Sequence, residues 1–160
     1  MKRNRKGFTL IELLIVVAII GIIVAIAIPN LLNAIQRAKQ KRTMGDMRTA
    51  GTAAEAYAVD FNFYPAAAAK FSTAVTPNAT LGCLTTKLTP TYLKVLPLND
   101  GWGSALLYGG DAARQTYCLW SLGRDGKDDT NAAGGATTDF NSDIVFCQGQ
   151  FTEFPEGMQK

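Results

Sequence analysis

Lys6-Gly7-Phe8-Thr9-Leu10-Ile11-Glu12 opens the stretch that decides the fold of this chain. It runs on as Leu13-Leu14-Ile15-Val16-Val17-Ala18-Ile19-Ile20-Gly21-Ile22-Ile23-Val24-Ala25-Ile26-Ala27-Ile28 before Pro29 interrupts it. Phe8 to Ile28 is 21 residues with one charge, Glu12, and one other clearly polar side chain, Thr9. As a helix rising about 1.5 Å per residue it would be roughly 31 Å long, close to the hydrocarbon thickness of a bilayer. A helix apolar on every side over this length predicts a membrane span. The competing reading is a removable secretory signal, for which Ala25-Ile26-Ala27 offers a small-x-small cleavage pattern. Against it, the apolar stretch exceeds the usual signal core of about 7–15 residues. A carboxylate placed at Glu12 is also costly in hydrocarbon and requires a reason.

The charges divide along the chain around that span. Of the net +3, Lys2, Arg3, Arg5 and Lys6 carry +4, so the rest of the chain is −1. A second basic cluster, Arg37, Lys39, Lys41 and Arg42, follows the apolar run. From Thr43 onward twelve acidic residues stand against eight basic ones. Nucleic-acid binding needs a basic face on the folded part, and this part is mildly acidic, so no nucleic-acid partner is expected. A basic N-terminal flank is instead a topology signal: Lys2 to Lys6 stay cytoplasmic and the C-terminal part is sent outward.

The 160 residues suffice for one modest folded domain, and an apolar content of 48% excludes a disordered chain. Histidine is absent, which removes Ser-His-Asp and Cys-His catalysis and any His-liganded zinc. Three cysteines cannot build a four-thiolate site. No acid–base pair presents itself for catalysis, so the chain is not expected to be an enzyme.

Past Pro29, Leu31, Ile35 and Ala38, then Met44, Met47, Ala50, Ala54, Tyr57, Ala58 and Phe61 recur at three- and four-residue steps. That is a helix period, continuing to about Asn62, with one apolar stripe to lay on something. Pro29 is expected to bend or locally melt this helix, and Gly45 and Gly51 to weaken it by about 1 kcal/mol each. Tyr64-Pro65 stops it, and residues 66–82 read as a surface loop. Ala105–Tyr108, Thr116–Leu122 and Asp143–Cys147 then read as strands separated by turns. A helix followed by hairpin-connected strands is an α+β arrangement, here a long N-terminal helix packed on a small antiparallel sheet. The expected organisation is a leader at 1–7, a span at 8–28, an amphipathic helix at 29–62 and a globular head at 63–160.

The segment Lys6-Gly7-Phe8-Thr9-Leu10-Ile11-Glu12 followed by a full-length apolar helix resembles the class III signal of type IV pilins and type II secretion pseudopilins. The resemblance implies cleavage after Gly7 by a prepilin peptidase, N-methylation of Phe8, and retention of the helix. Tyr57 and Asp60 before Tyr64-Pro65, Tyr92-Leu93 with Leu96-Pro97, Asp100-Gly101-Trp102-Gly103, and Leu119-Trp120-Ser121-Leu122-Gly123-Arg124-Asp125-Gly126 are similar to the major pseudopilin of type II secretion systems. Three features depart from that pattern: Gly101 where the family usually has Pro, a long insertion between Asp128 and Asp143, and the cysteines. The implied fold is type IV pilin-like. The implied assembly is a homopolymer with minor pseudopilins, grown by an inner-membrane platform with a cytoplasmic ATPase. Its subunits would be single-pass inner-membrane proteins with the head in the periplasm. Glu12 would set the axial register by pairing with the Phe8 amine of a neighbour, which would relieve its cost in hydrocarbon.

Asp125, Asp128, Asp129, Asp139 and Asp143 fall close together among glycines. Calcium takes six to eight hard oxygens from a flexible loop, but these residues do not have EF-hand spacing, and by composition alone they read as a solvated loop. The resemblance implies a structural calcium held by the Leu122 carbonyl, Asp125, Asp143 and Asp128, with Asp129 and Asp139 less central. If that loop sets Leu122 opposite Asp143 in an antiparallel pair, Cys118 falls opposite Cys147, the preferred disulfide among the three possible. Cys83 would then be free or partner one of them.

Three functions follow from these readings. The first is a pseudopilus subunit that helps drive protein export across the outer membrane. The second is a type IV pilin of surface fibres for adhesion, motility or DNA uptake. The third is a membrane-anchored enzyme or binding protein.

Overall fold

Helical periodicity carries α1 from Leu10 to Phe61 without a break. The computed structural model describes residues 7–66, 79–128, 134–157 and 159. The basic leader residues Lys2 to Lys6, most of the expected loop (67–78) and Asp129 lie outside the described residues. The chain divides into two units, Met1–Ile35 and Gln36–Lys160.

In the first unit α1 is apolar on all sides, and every described residue is exposed. The helix passes through Pro29 rather than melting there. Proline removes the N–H that would bond to the Ala25 carbonyl, and the next residue adds a local bond, Asn30 Nδ2 donating to the Ile26 carbonyl at 3.2 Å.

In the second unit the remainder of α1 buries Gln40, Thr43, Met47, Ala50, Gly51, Ala53 and Ala54, a stripe at three- and four-residue spacing. The helix ends at Asn62, whose φ of 62° is the left-handed conformation that closes many helices. A short strand β1 (Ala79–Thr80), a 3-10 turn (Leu81–Leu84) and one turn of helix α2 (Thr85–Leu88) follow, the latter two burying Leu81, Leu84 and Leu88. The sheet is completed by β2 (Leu107–Gly110), β3 (Tyr117–Ser121), β4 (Gly135–Thr137), β5 (Ile144–Cys147) and β6 (Gln150–Pro155), in the order β1-β2-β3-β5-β6-β4.

This helix on a sheet is the expected α+β fold, with one correction: the sheet is mixed. β4 pairs parallel to β6, while the other pairs are antiparallel. β4 comes from the insertion between Asp128 and Asp143, and β6 from a segment with no strand expectation. The turn into β6 is a two-residue hairpin at Gln148 and Gly149, both of which have the positive φ that such a turn requires.

The core lies between α1 and one sheet face, with Met47, Ala50 and Ala54 against Tyr108, Tyr117, Leu119, Ile144 and Phe146. Gly51 permits this approach. A Cβ there would overlap the Phe146 ring, so its helix-weakening cost is offset by close packing. Tyr117 Oη donates to Glu55 Oε1 at 2.9 Å, and burial, aided by Glu55, pushes the phenol pKa upward. The opposite sheet face carries Cys118, Trp120 and Val145.

Candidate functional site

Two places in the chain carry the expected site residues. The first is the start of α1. Thr9 N–H and Oγ1 donate to Glu12 Oε2 at 2.9 and 2.7 Å, and Glu12 N–H returns to Thr9 Oγ1 at 3.3 Å. This is a capping box, which satisfies two of the orphan donors at a helix N-terminus and places a carboxylate at the positive end of its dipole. The Thr-x-x-Glu spacing is the sequence signature of this box. Gly7 and Phe8 precede the helix and are exposed, so the expected cut falls on accessible, non-helical backbone.

The second place is the loop after β3. The ladder pairs Cys118 with Cys147 and Ser121 with Ile144, so Leu122 and Asp143 leave β3 and β5 side by side. Cys118 and Cys147 are joined by a disulfide, and Cys83 is a partly buried free thiol. Gly123, with φ of 62°, turns the chain where a Cβ would overlap the Asn141 carbonyl. The Leu122 carbonyl accepts from Gly126 N–H at 3.2 Å, and Asp125 Oδ1 accepts from Lys127 N–H at 3.1 Å. The outgoing and returning segments are tied together by Arg124 N–H on the Phe140 carbonyl and Arg124 Nε on Asn141 Oδ1, both at 2.9 Å.

The turn from Asp100 to Ser104 supports this loop. Asp100 is buried: Oδ1 accepts the N–H groups of Trp102 and Ser104 at 2.9 Å, and Oδ2 accepts Ser121 Oγ–H at 2.8 Å. A sequence reading gives Asp100 only a turn, because its second partner lies on a strand distant in sequence.

The described part of the loop offers hard oxygens, the kind of ligand calcium takes. Asp143 is buried, whereas Asp125 and Asp128 are exposed. Among the described residues no three acidic, His or Cys side chains converge as a metal-holding group. The fold thus brings Leu122 and Asp143 together and leaves Asp125 and Asp128 at the loop surface.

An exposed apolar helix with a capped carboxylate at its start, continuing into a helix-on-sheet head, is the architecture of type IV pilin-like subunits. In keeping with that class, residues 2–28 match the prokaryotic N-terminal methylation motif. Residues 30–142 match the family described as type II secretion system (T2SS), protein G, and the chain belongs to that family. It is 33% identical over 144 residues to the type II secretion system core protein G of Pseudomonas aeruginosa, covering 86% of this chain and 93% of that one. The Vibrio cholerae core protein G is 31% identical over 152 residues, or 88% and 97% of the two chains. A shorter similarity, 62% over 53 residues, links 31% of this chain to 34% of the type IV major fimbrial protein FimA of Dichelobacter nodosus.

Proposed function

We propose that the chain is a structural, non-enzymatic subunit of a type II secretion pseudopilus that polymerises through its N-terminal helix to help drive export across the outer membrane. One observation carries the reading: residues 7–35 are entirely exposed, apolar from Phe8 to Ile28 but for Thr9 and Glu12, and headed by a single carboxylate in a capping box. Such a surface has to be covered by lipid or by other copies of itself. Lipid tails are as apolar as these side chains, so passing from bilayer to filament gains little hydrophobic energy. Polar contacts must therefore set direction and register, and Glu12 is the charge available. Its Oε2 is taken by Thr9, and its Oε1 takes no hydrogen bond among the described residues. After cleavage at Gly7 the Phe8 amine of a neighbouring subunit would pair there.

The same reading places residues 8–28 in the inner membrane with the head in the periplasm. Prepilin peptidase, minor pseudopilins and an inner-membrane platform with its cytoplasmic ATPase are the partners. The Leu122 carbonyl, Asp125, Asp128 and Asp143 would hold a calcium that fixes the loop, and their hard oxygens suit calcium better than magnesium.

The fimbrial similarity favours a second reading, a surface-fibre pilin, but covers 34% of that relative against 93% and 97% of the secretion proteins. Deleting the gene and comparing the culture-supernatant proteome and surface fibres with the parent separates them. Loss of a set of secreted proteins with fibres retained is the expected result. Loss of fibres with normal secretion would overturn it.

A further inference from the structure

A cavity of about 250 Å³ lies between α1 and the C-terminal segment, walled by Arg37 and Lys41, one helical turn apart. Its other walls include Met44 and Pro155, and its floor is Gln40 and Gln159, both buried. Gln40 Nε2 donates to Gln159 Oε1 at 3.4 Å, and Gln159 Nε2 donates to the carbonyls of Thr137 and Glu156 at 2.7 and 2.9 Å. The floor is therefore fixed, while among the described residues the two cations above it have no carboxylate partner. Among the described residues the ion pair in this part of α1 is Arg42 with Asp46.

We propose that this pocket binds the phosphate oxyanion of an anionic phospholipid headgroup. The Arg37 guanidinium supplies a planar fork matched to phosphate oxygens and Lys41 a compact second charge. Met44 and Pro155 offer apolar wall to the carbons beside the phosphate. The volume falls below the roughly 300–1,000 Å³ of small-molecule sites, which suits a headgroup and not a whole nucleotide.

The choice of a lipid over free phosphate rests on the membrane reading above. Arg37 is nine residues past Ile28 in the chain, on the side of the span that this reading sends outward. Cations close to a span on that side oppose the positive-inside bias, so topology gives no reason for Arg37, Lys39 and Lys41. Attraction to anionic lipid does.

Native mass spectrometry of the full chain in neutral detergent, with phosphatidylglycerol and phosphatidylcholine added at equal concentration, tests this. The wild type is expected to keep one phosphatidylglycerol in clear preference to phosphatidylcholine. The paired substitution Arg37→Gln with Lys41→Gln should cut that retention about twentyfold, and each alone roughly fivefold. Lys127→Gln, on the exposed acidic loop, should leave it unchanged. No lipid preference, or an equal loss from Lys127→Gln, overturns the proposal. So does displacement of the lipid by millimolar inorganic phosphate, which would make free phosphate the ligand. A defect of the paired variant in filament assembly alone, with lipid retention intact, also overturns it in favour of a carboxylate from a second copy. Flotation with pure phosphatidylcholine vesicles is read separately. Failure to float sinks the membrane reading itself, whereas flotation without lipid preference sinks only the pocket.

Discussion

The N–H of Gly101 donates to Thr43 Oγ1 at 2.9 Å, and Thr43 Oγ1 in turn donates to the Lys39 carbonyl at 3.0 Å. Gly101 lies so close to α1 that a Cβ would overlap the Lys39 carbonyl oxygen, while Trp102 Nε1 beside it bonds to Gln36 Oε1 at 2.7 Å. The turn and the helix backbone are in direct contact. Proline at this position would have neither the N–H nor the space. Gly101→Ala should cost about 1–3 kcal/mol through overpacking. Gly101→Pro should cost about 1 kcal/mol more by losing the bond to Thr43. Urea melts of the three proteins check both, and a stabilised proline variant would refute the packing argument.

Glu12 combines a cap and a charge, and two substitutions separate them. Glu12→Ala should abolish filaments while leaving membrane insertion intact. Glu12→Gln keeps an oxygen for the cap bonds but not the charge, so it should also fail to assemble. Wild-type filament yield from Glu12→Gln would assign the residue to capping alone.

Cys118 and Cys147 close a loop with a sequence separation of 29. Cys118→Ser with Cys147→Ser should lower stability by roughly 3–4 kcal/mol, chiefly by freeing the unfolded chain. Under non-reducing conditions only Cys83 should react with an alkylating reagent once the protein is unfolded. Labelling at Cys118 or Cys147 would contradict this pairing.

Calcium in about hundredfold excess over its dissociation constant should stabilise the head by about 2.7 kcal/mol. Chelation should reverse the shift, and Asp125→Asn, at an exposed position, should remove it without unfolding the protein. An identical melting temperature with chelator and with calcium would dismiss the metal.

The β2–β3 turn gives a pH dependence. Asp111 Oδ1 accepts the N–H groups of Thr116 and Gln115, both at 2.8 Å, and these bonds hold its carboxyl below the ordinary range. A depressed folded-state value contributes stability above the unfolded carboxyl pKa of about 3.9, lost as pH falls through the lower folded value. The melting-temperature gap between wild type and Asp111→Asn should therefore narrow on acidification below about pH 4. A gap that widens toward acid would be inconsistent with this.

Sequence by itself determined the features that repeat locally. The apolar run from Phe8 to Ile28, the three- and four-residue stripe from Met44 to Phe61, and strands at Thr116–Leu122 and Asp143–Cys147 each follow from a period or a run of side-chain types. Glu12 stood out because a lone carboxylate in an apolar run is costly wherever the chain goes.

Tertiary structure alone decided what depends on partners distant in sequence. The parallel seat of β4 on β6 belongs here, because no local pattern encodes which edge a short strand joins. So do the use of Gly51 and Gly101 for close approach, the burial of Asp100 against Ser121, and the meeting of Arg37 and Lys41 with the buried Gln159. Their sequence neighbours supply none of these contacts. Packing and hydrogen-bond satisfaction are fixed only when α1, the sheet and the C-terminal segment come together.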